Sequence, residues 1–243
     1  MKIEILYPEV CNLFGDLANM RYLKLCLPQA EFIHTSLNQK PKFFDENIDL
    51  VYMGPTTENY QEKIIDIFMP YKDALKEKID SGVHFLFVGN TLEILGNYIE
   101  TPDGDRIKCL GLIDMYAEQN FKERHNSKCE GKLDNLSPIL GFKTQFTDCY
   151  PANDNNALFG VVKGQGMNTE CNFEGIRINN FFGTYYLGPL LIMNPDFTKY
   201  FLKSLGIQNP VLAFEEDVQA AYDFKLKEFN DYVAVKPEKY KFM

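Results

Sequence analysis

Tryptophan is absent from this chain, and histidine occurs only three times, at His34, His84 and His125. None of the three stands at a metal-ligand spacing from any of the six cysteines, and no Cys-x-x-Cys pair occurs. The usual zinc-binding patterns are therefore missing. Positive charge is also scarce, since 25 Lys and Arg face 34 Asp and Glu, for a net charge of −9. An acidic chain repels phosphate backbones. The loose basic stretch at Lys122, Arg124, Lys128 and Lys132 is interrupted by Glu123 and Glu130, so nucleic acid is excluded as a partner. There is no P-loop and no Gly-x-Gly-x-x-Gly pattern, which argues against nucleotide binding. No run approaches the ~20 apolar residues of a membrane span. The first five residues read as a strand rather than as a signal peptide, so a cytoplasmic protein with reduced thiols and no cofactor or metal is expected.

What is abundant is aromatic: 20 Phe and 14 Tyr in 243 residues. A Phe-packed core accounts for that richness better than stacking on bases does. The length suits one α/β domain, expected over residues 1–235, with a polar C-terminal tail at 236–243. Short apolar runs at 3–7, 31–35 and 48–53 read as strands, and 16–27 and 59–81 as helices, the second divided at Pro70. Residues 83–88 form a continuous apolar run, as a central parallel strand buried on both faces does. Alternating strands and helices imply a parallel sheet covered on both sides. From 105 to 186 the texture changes to short strand-like runs at 107–113, 157–163 and 175–179, separated by Gly, Asn and Asp. Hairpins are expected there. Helices at 196–205 and 215–230 close the chain.

Four stretches carry the functional signal. Asn12-Leu13-Phe14-Gly15-Asp16-Leu17-Ala18-Asn19 follows the first strand, and Gly89-Asn90-Thr91-Leu92-Glu93-Ile94-Leu95-Gly96 follows the buried one. Leu110-Gly111-Leu112-Ile113-Asp114 comes next, and Gly183-Thr184-Tyr185-Tyr186-Leu187-Gly188-Pro189 is the last. Their content and order resemble the class I glutamine amidotransferases of the cobyric acid synthase type, and among these the glutaminase subunits of lipid II isoglutaminyl synthases. The resemblance spans residues 3–205. It implies a flavodoxin-like α/β fold with a mostly parallel central sheet, helices on both faces and a hairpin-rich second half.

The resemblance also implies chemistry that this sequence lacks. In the family a Cys on a sharp strand-to-helix turn attacks the glutamine amide, a His deprotonates it, and backbone N–H groups hold the oxyanion. The matching positions here are Gly89 and Leu187. Asn90 and Thr91 stand where the family has small residues, and Glu93 where it commonly has Gln. In the segment after Gly141-Phe142 an acid, Asp148, lies near the place of an expected Arg. Glycine reaches strained backbone at little cost, so Gly89 is expected to keep the turn and leave a shallow, non-catalytic pocket. That remnant pocket would comprise Asn12, Gly89, Asn90, Thr91, Glu93, Tyr185 and Leu187.

Several residues also have plainer readings. Asp16 matches the family's acid near the nucleophile, and equally suits a helix N-cap or first turn. Glu93 reads as an exposed first-turn acid, His84 as a satisfied core histidine, and the cysteines as small buried hydrophobes. Cys11 is the one placed least implausibly as a substitute nucleophile. The leading expectation is an inactive subunit partnered with a Mur-ligase-like enzyme of cell-wall precursor amidation. The alternatives are a glutaminase with a relocated nucleophile and a small-molecule sensor that uses the remnant pocket.

Overall fold

The computed structural model describes residues 1–231 together with Tyr240–Lys241, with Asp231 and the last two residues described by backbone alone. The end of the expected domain at 235 and most of the expected tail at 236–243 fall outside the described residues.

The first half alternates strand and helix. Strand β1 (Lys2–Leu6) leads to helix α1 (Ala18–Cys26) and β2 (Glu31–Thr35), and β3 (Leu50–Met53) leads to α2 (Glu58–Phe68) and α3 (Lys72–Asp80). Pro70 lies in the one-turn break between α2 and α3, where its missing N–H costs nothing. Strand β4 (His84–Val88) follows, and a tight 3-10 segment, Gly89–Leu95, leaves its end. The second half adds β5 (Tyr98–Glu100), β6 (Arg106–Lys108), β7 (Met115–Gln119), β8 (Glu123–Lys132), β9 (Ile139–Gln145) and β10 (Thr147–Pro151). Then come β11 (Ala157–Lys163), β12 (Phe173–Ile178), β13 (Phe181–Thr184), α4 (Leu190–Met193), α5 (Pro195–Ser204), α6 (Glu215–Asp231) and β14 (Tyr240–Lys241).

The main sheet runs β14-β8-β11-β12-β13-β4-β3-β1-β2, with β9 paired to β8. Its parallel part is β13-β4-β3-β1-β2, and every pairing beyond β13 is antiparallel. A smaller sheet, β10-β7-β5-β6, lies apart. Period-two alternation splits the core. Val51, Met53, Phe85, Phe87 and Phe181 face the side covered by Ile64, Phe68 and Leu75 of α2 and α3. Leu50, Tyr52, Leu86, Val88 and Phe182 face Leu23 of α1 and Phe197 and Phe201 of α5. Aromatic rings do much of the filling, with Phe87 and Phe181 at 5.4 Å and Phe182 and Phe201 at 5.2 Å between centroids.

One expected strand is mostly something else. Of the 107–113 run only Ile107 and Lys108, the end of β6, are extended in a ladder. Leu110, Gly111, Leu112 and Ile113 instead donate their N–H groups to the carbonyls of Ile94, Gly96 and Leu95. The run is apolar because it packs along the segment that leaves β4.

Candidate functional site

Parallel strands end at one edge of a sheet, and ligands bind in the crevice beyond those ends. Here the segments following β1, β3, β4 and β13 meet at that edge. Phe14 comes from the first, Pro55 and Thr56 from the second, Gly89 and Asn90 from the third, and Tyr185 and Leu187 from the fourth. They enclose a shallow cleft of about 40 Å³, room for a few waters. Gly89 has φ +69°, a left-handed conformation that glycine adopts without strain.

Gly89, Asn90, Tyr185 and Leu187 thus line one cleft, while the other residues expected beside them serve it from behind or lie outside it. Asn12 is exposed, and its Oδ1 accepts the Leu17 N–H at 3.0 Å. Thr91 is buried and donates to the Val88 carbonyl at 2.9 Å. Glu93 is not an exposed first-turn acid but is 1% exposed. It accepts from Gln61 Nε2 at 2.8 Å, Thr147 Oγ1 at 2.5 Å and Tyr185 Oη at 2.8 Å. Burial pushes its pKa up against these three donors. The tight turn from Gly89 to Leu95 sends residue 93 inward, where a regular helix would have presented it to solvent.

Asp16 does not cap a helix. Helix α1 starts two residues later with no side-chain cap, and Asp16 is 2% exposed. Tyr52 Oη donates to its Oδ2 at 2.5 Å, and its Oδ1 is buried without a partner. Burial raises the Asp16 carboxyl to about 6. His84 also departs from expectation. It sits half-buried at the amino end of β4, at the far edge of the sheet from the cleft, bonded to the Ser204 backbone but with Nε2 enclosed and unpartnered. Burial pushes its pKa down.

No thiol reaches the cleft. Cys11 is fully buried, and burial raises its thiol to about 12. Cys109 behaves in the same way, and burial also raises Cys26, Cys129, Cys149 and Cys171. A thiol so shifted is protonated at neutral pH and is not a nucleophile. Leu187 is 5% exposed and packs into the core, while its backbone exchanges hydrogen bonds with Phe142 at 2.9 and 3.0 Å. His125 lines an adjoining cavity of about 150 Å³. Its Nε2 meets Ser127 Oγ at 2.8 Å, and burial with Lys143 nearby lowers its pKa to about 4.

Arg124 is the site residue that sequence reasoning overlooked. From β8 it lines both the cleft and the adjoining cavity. Its guanidinium lies over the rings of Phe146 at 4.6 Å and Phe14 at 5.9 Å, and its Nε is buried without a hydrogen-bond partner. Ring stacking of this kind favours a weakly hydrated guanidinium. Asp148 lines the adjoining cavity and not the cleft. A cation thus reaches the cleft from β8 and not from the segment after Gly141-Phe142. The one legible hint was its place in the loose basic stretch with Lys122, Lys128 and Lys132.

Comparison with known proteins matches residues 2–194 to the CobB/CobQ-like glutamine amidotransferase domain. The chain belongs to this family. It is 28% identical over 194 residues to the GatD subunit of the glutamine-hydrolysing lipid II isoglutaminyl synthase of Staphylococcus aureus (strain N315), covering 79% of each chain. It is 26% identical over 199 residues to the corresponding Streptococcus pneumoniae (strain ATCC BAA-255 / R6) subunit, covering 81% of this chain and 76% of that one. Among solved structures, PurLQS from Thermotoga maritima superposes with a TM-score of 0.58 at 15% identity, over 86% of this chain and 99% of that chain. The glutaminase domain of Trypanosoma brucei CTPS with bound acivicin gives 0.55 at 6% identity, over 88% and 96%. The structural likenesses establish a shared amidotransferase fold. Among the described residues, no helix is long and apolar enough to cross a membrane.

Proposed function

We propose that this amidotransferase-like chain does not hydrolyse glutamine and acts in the cytoplasm as a structural or regulatory subunit of a Mur-ligase-like enzyme in cell-wall precursor amidation. The observation that carries it is the chemistry of the turn. The resemblance assigns Gly89 and Leu187 to the positions of nucleophile and base, both line the cleft, and no cysteine lines it with them. Relatives bearing the name of a lipid II isoglutaminyl synthase subunit support the pathway and the expectation of a partner. The test has two parts. Purified chain incubated with glutamine should release ammonia no faster than buffer does. Tagged chain recovered from its own host should bring down a Mur-ligase-like protein in near-equal amount. Glutamine turnover abolished by a single Cys→Ser change would replace this reading with that of a relocated nucleophile.

A second reading is favoured by Arg124. A guanidinium that lies over two rings with its Nε unpartnered is suited to a bidentate carboxylate. The cleft would then sense an amino acid without cleaving it. Glutamate or glutamine at millimolar concentration should raise the melting temperature, and Arg124→Gln should remove that rise. A rise of equal size in the variant would discard the sensor.

A further inference from the structure

Pro55 stands where a side chain on residue 89 would have to go. A β-carbon built on Gly89 falls 2.6 Å from the Pro55 Cβ and 3.3 Å from its Cα. Carbon atoms rest against each other at about 3.5–4.0 Å. The obstacle is a ring closed onto its own backbone, so it cannot swing away as a flexible side chain would. The loop that carries it is also fastened down. Thr56 N–H donates to Asn90 Oδ1 at 3.0 Å, Asn90 Nδ2 donates to the Thr56 carbonyl at 2.9 Å, and Leu13 N–H donates to the Pro55 carbonyl at 3.1 Å. Asn90 thereby ties the loop after β3 to the turn after β4.

Proline also has no N–H. In sites built on a sharp strand-to-helix turn, one oxyanion donor comes from the residue after the nucleophile, and a second comes from the loop after a neighbouring strand. Residue 55 lies in such a loop, against residue 89, and has no donor to offer.

We infer that Pro55, held by Asn90, is a further closing residue of this site: it fills the nucleophile's space and withholds an oxyanion donor. The inference rests on the inactive-subunit reading above and deepens it. Restoring the thiol and the imidazole alone then leaves the reaction blocked. In that reaction a thiolate adds to the side-chain carbonyl carbon of glutamine. The C–N bond breaks as the imidazolium gives its proton to the departing ammonia, and water cleaves the thioester to glutamate.

The experiment compares full-length Gly89→Cys/Leu187→His with and without Pro55→Gly. The first readout is the rate of iodoacetamide alkylation at position 89, followed by peptide mass spectrometry. That rate is expected to be about tenfold higher with Pro55→Gly, because the freed thiol becomes accessible. Equal rates overturn the inference, and so does ammonia release from glutamine by the variant that keeps Pro55. A thermodynamic cycle covers the case in which these variants fail to fold. Gly89→Ala should lower the melting temperature at least twice as much in the native background as in Pro55→Gly, since the backbone strain is common to both and only the collision differs. Equal drops overturn the inference. Glutamine hydrolysis by the native chain would instead sink the inactive-subunit reading, leaving the contact between residues 55 and 89 to be judged by the cycle.

Discussion

A buried carboxyl with one oxygen satisfied and the other bare is a liability whose size depends on pH. Asp16 is such a group: Tyr52 serves Oδ2, nothing serves Oδ1, and burial raises its pKa from 3.8 to about 6. Below pH ~3 the acid is neutral whether folded or not, so it costs nothing. As pH rises through ~4 towards ~6 the unfolded chain ionises first and folding loses stability, and above pH ~7 the loss is complete. A shift of about two pKa units corresponds to roughly 3 kcal/mol. Asp16→Asn removes the ionisation but leaves an amide N–H₂ without a buried acceptor, which costs ~1–2 kcal/mol. The variant should therefore gain ~1–2 kcal/mol at pH 7 and lose most of the fall in stability between pH 4 and 6. Urea titrations at several pH values measure both, and an unchanged pH slope would refute the account. Sequence position made Asp16 look like a cap. Its real partner sits 36 residues away on β3, and no local pattern announces such a contact.

The elements that were legible are those whose burial is uniform. The apolar run of β4 and the apolar positions of α5 declare themselves because each faces the core on a fixed period. Strand β8 does not, since Glu123–Lys132 is polar along its length and becomes a strand only through pairing with β9 and β11. That pairing also carries Arg124 into the cleft, which is why the site's cation was invisible while the turn at Gly89 was not. One buried side chain makes three of the hydrogen bonds at the junction between this antiparallel part and the helices. Asn194 Oδ1 accepts the Leu140 N–H at 2.7 Å, and Nδ2 donates to the carbonyls of Leu140 and Leu190, each at 2.8 Å. Asn194 is 1% exposed, so no water replaces it. Asn194→Ala strands one buried N–H and leaves two carbonyls short, at a cost of roughly 3 kcal/mol. For a chain of this size that is about 6–12 °C in melting temperature. A drop under 2 °C would mean that the junction is held elsewhere.

At the scale of the molecule, the fold is that of a glutamine amidotransferase domain, and no cysteine lines the cleft at its sheet edge. The cleft lies where parallel strands end, the turn at Gly89 keeps its left-handed backbone, and the cysteines are buried or raised in pKa. If such a chain serves an amidating ligase, nitrogen has to arrive by another route. Free ammonia is the simplest, because it needs no thioester and no catalytic contribution from this subunit. The purified complex with its ligase partner should then amidate its carboxylate substrate in proportion to added ammonium chloride. Activity should rise with pH as ammonium gives up its proton, until the ligase itself fails. Glutamine in place of ammonium should give no product, and an electrophilic glutamine analogue should leave the ammonium-driven rate unchanged. Product formed from glutamine at a rate comparable to that with ammonium, and lost on treatment with the analogue, would show a working thiol in the complex. Under that result the subunit would be a glutaminase assembled only with its partner, and the search for its nucleophile would begin at the interface.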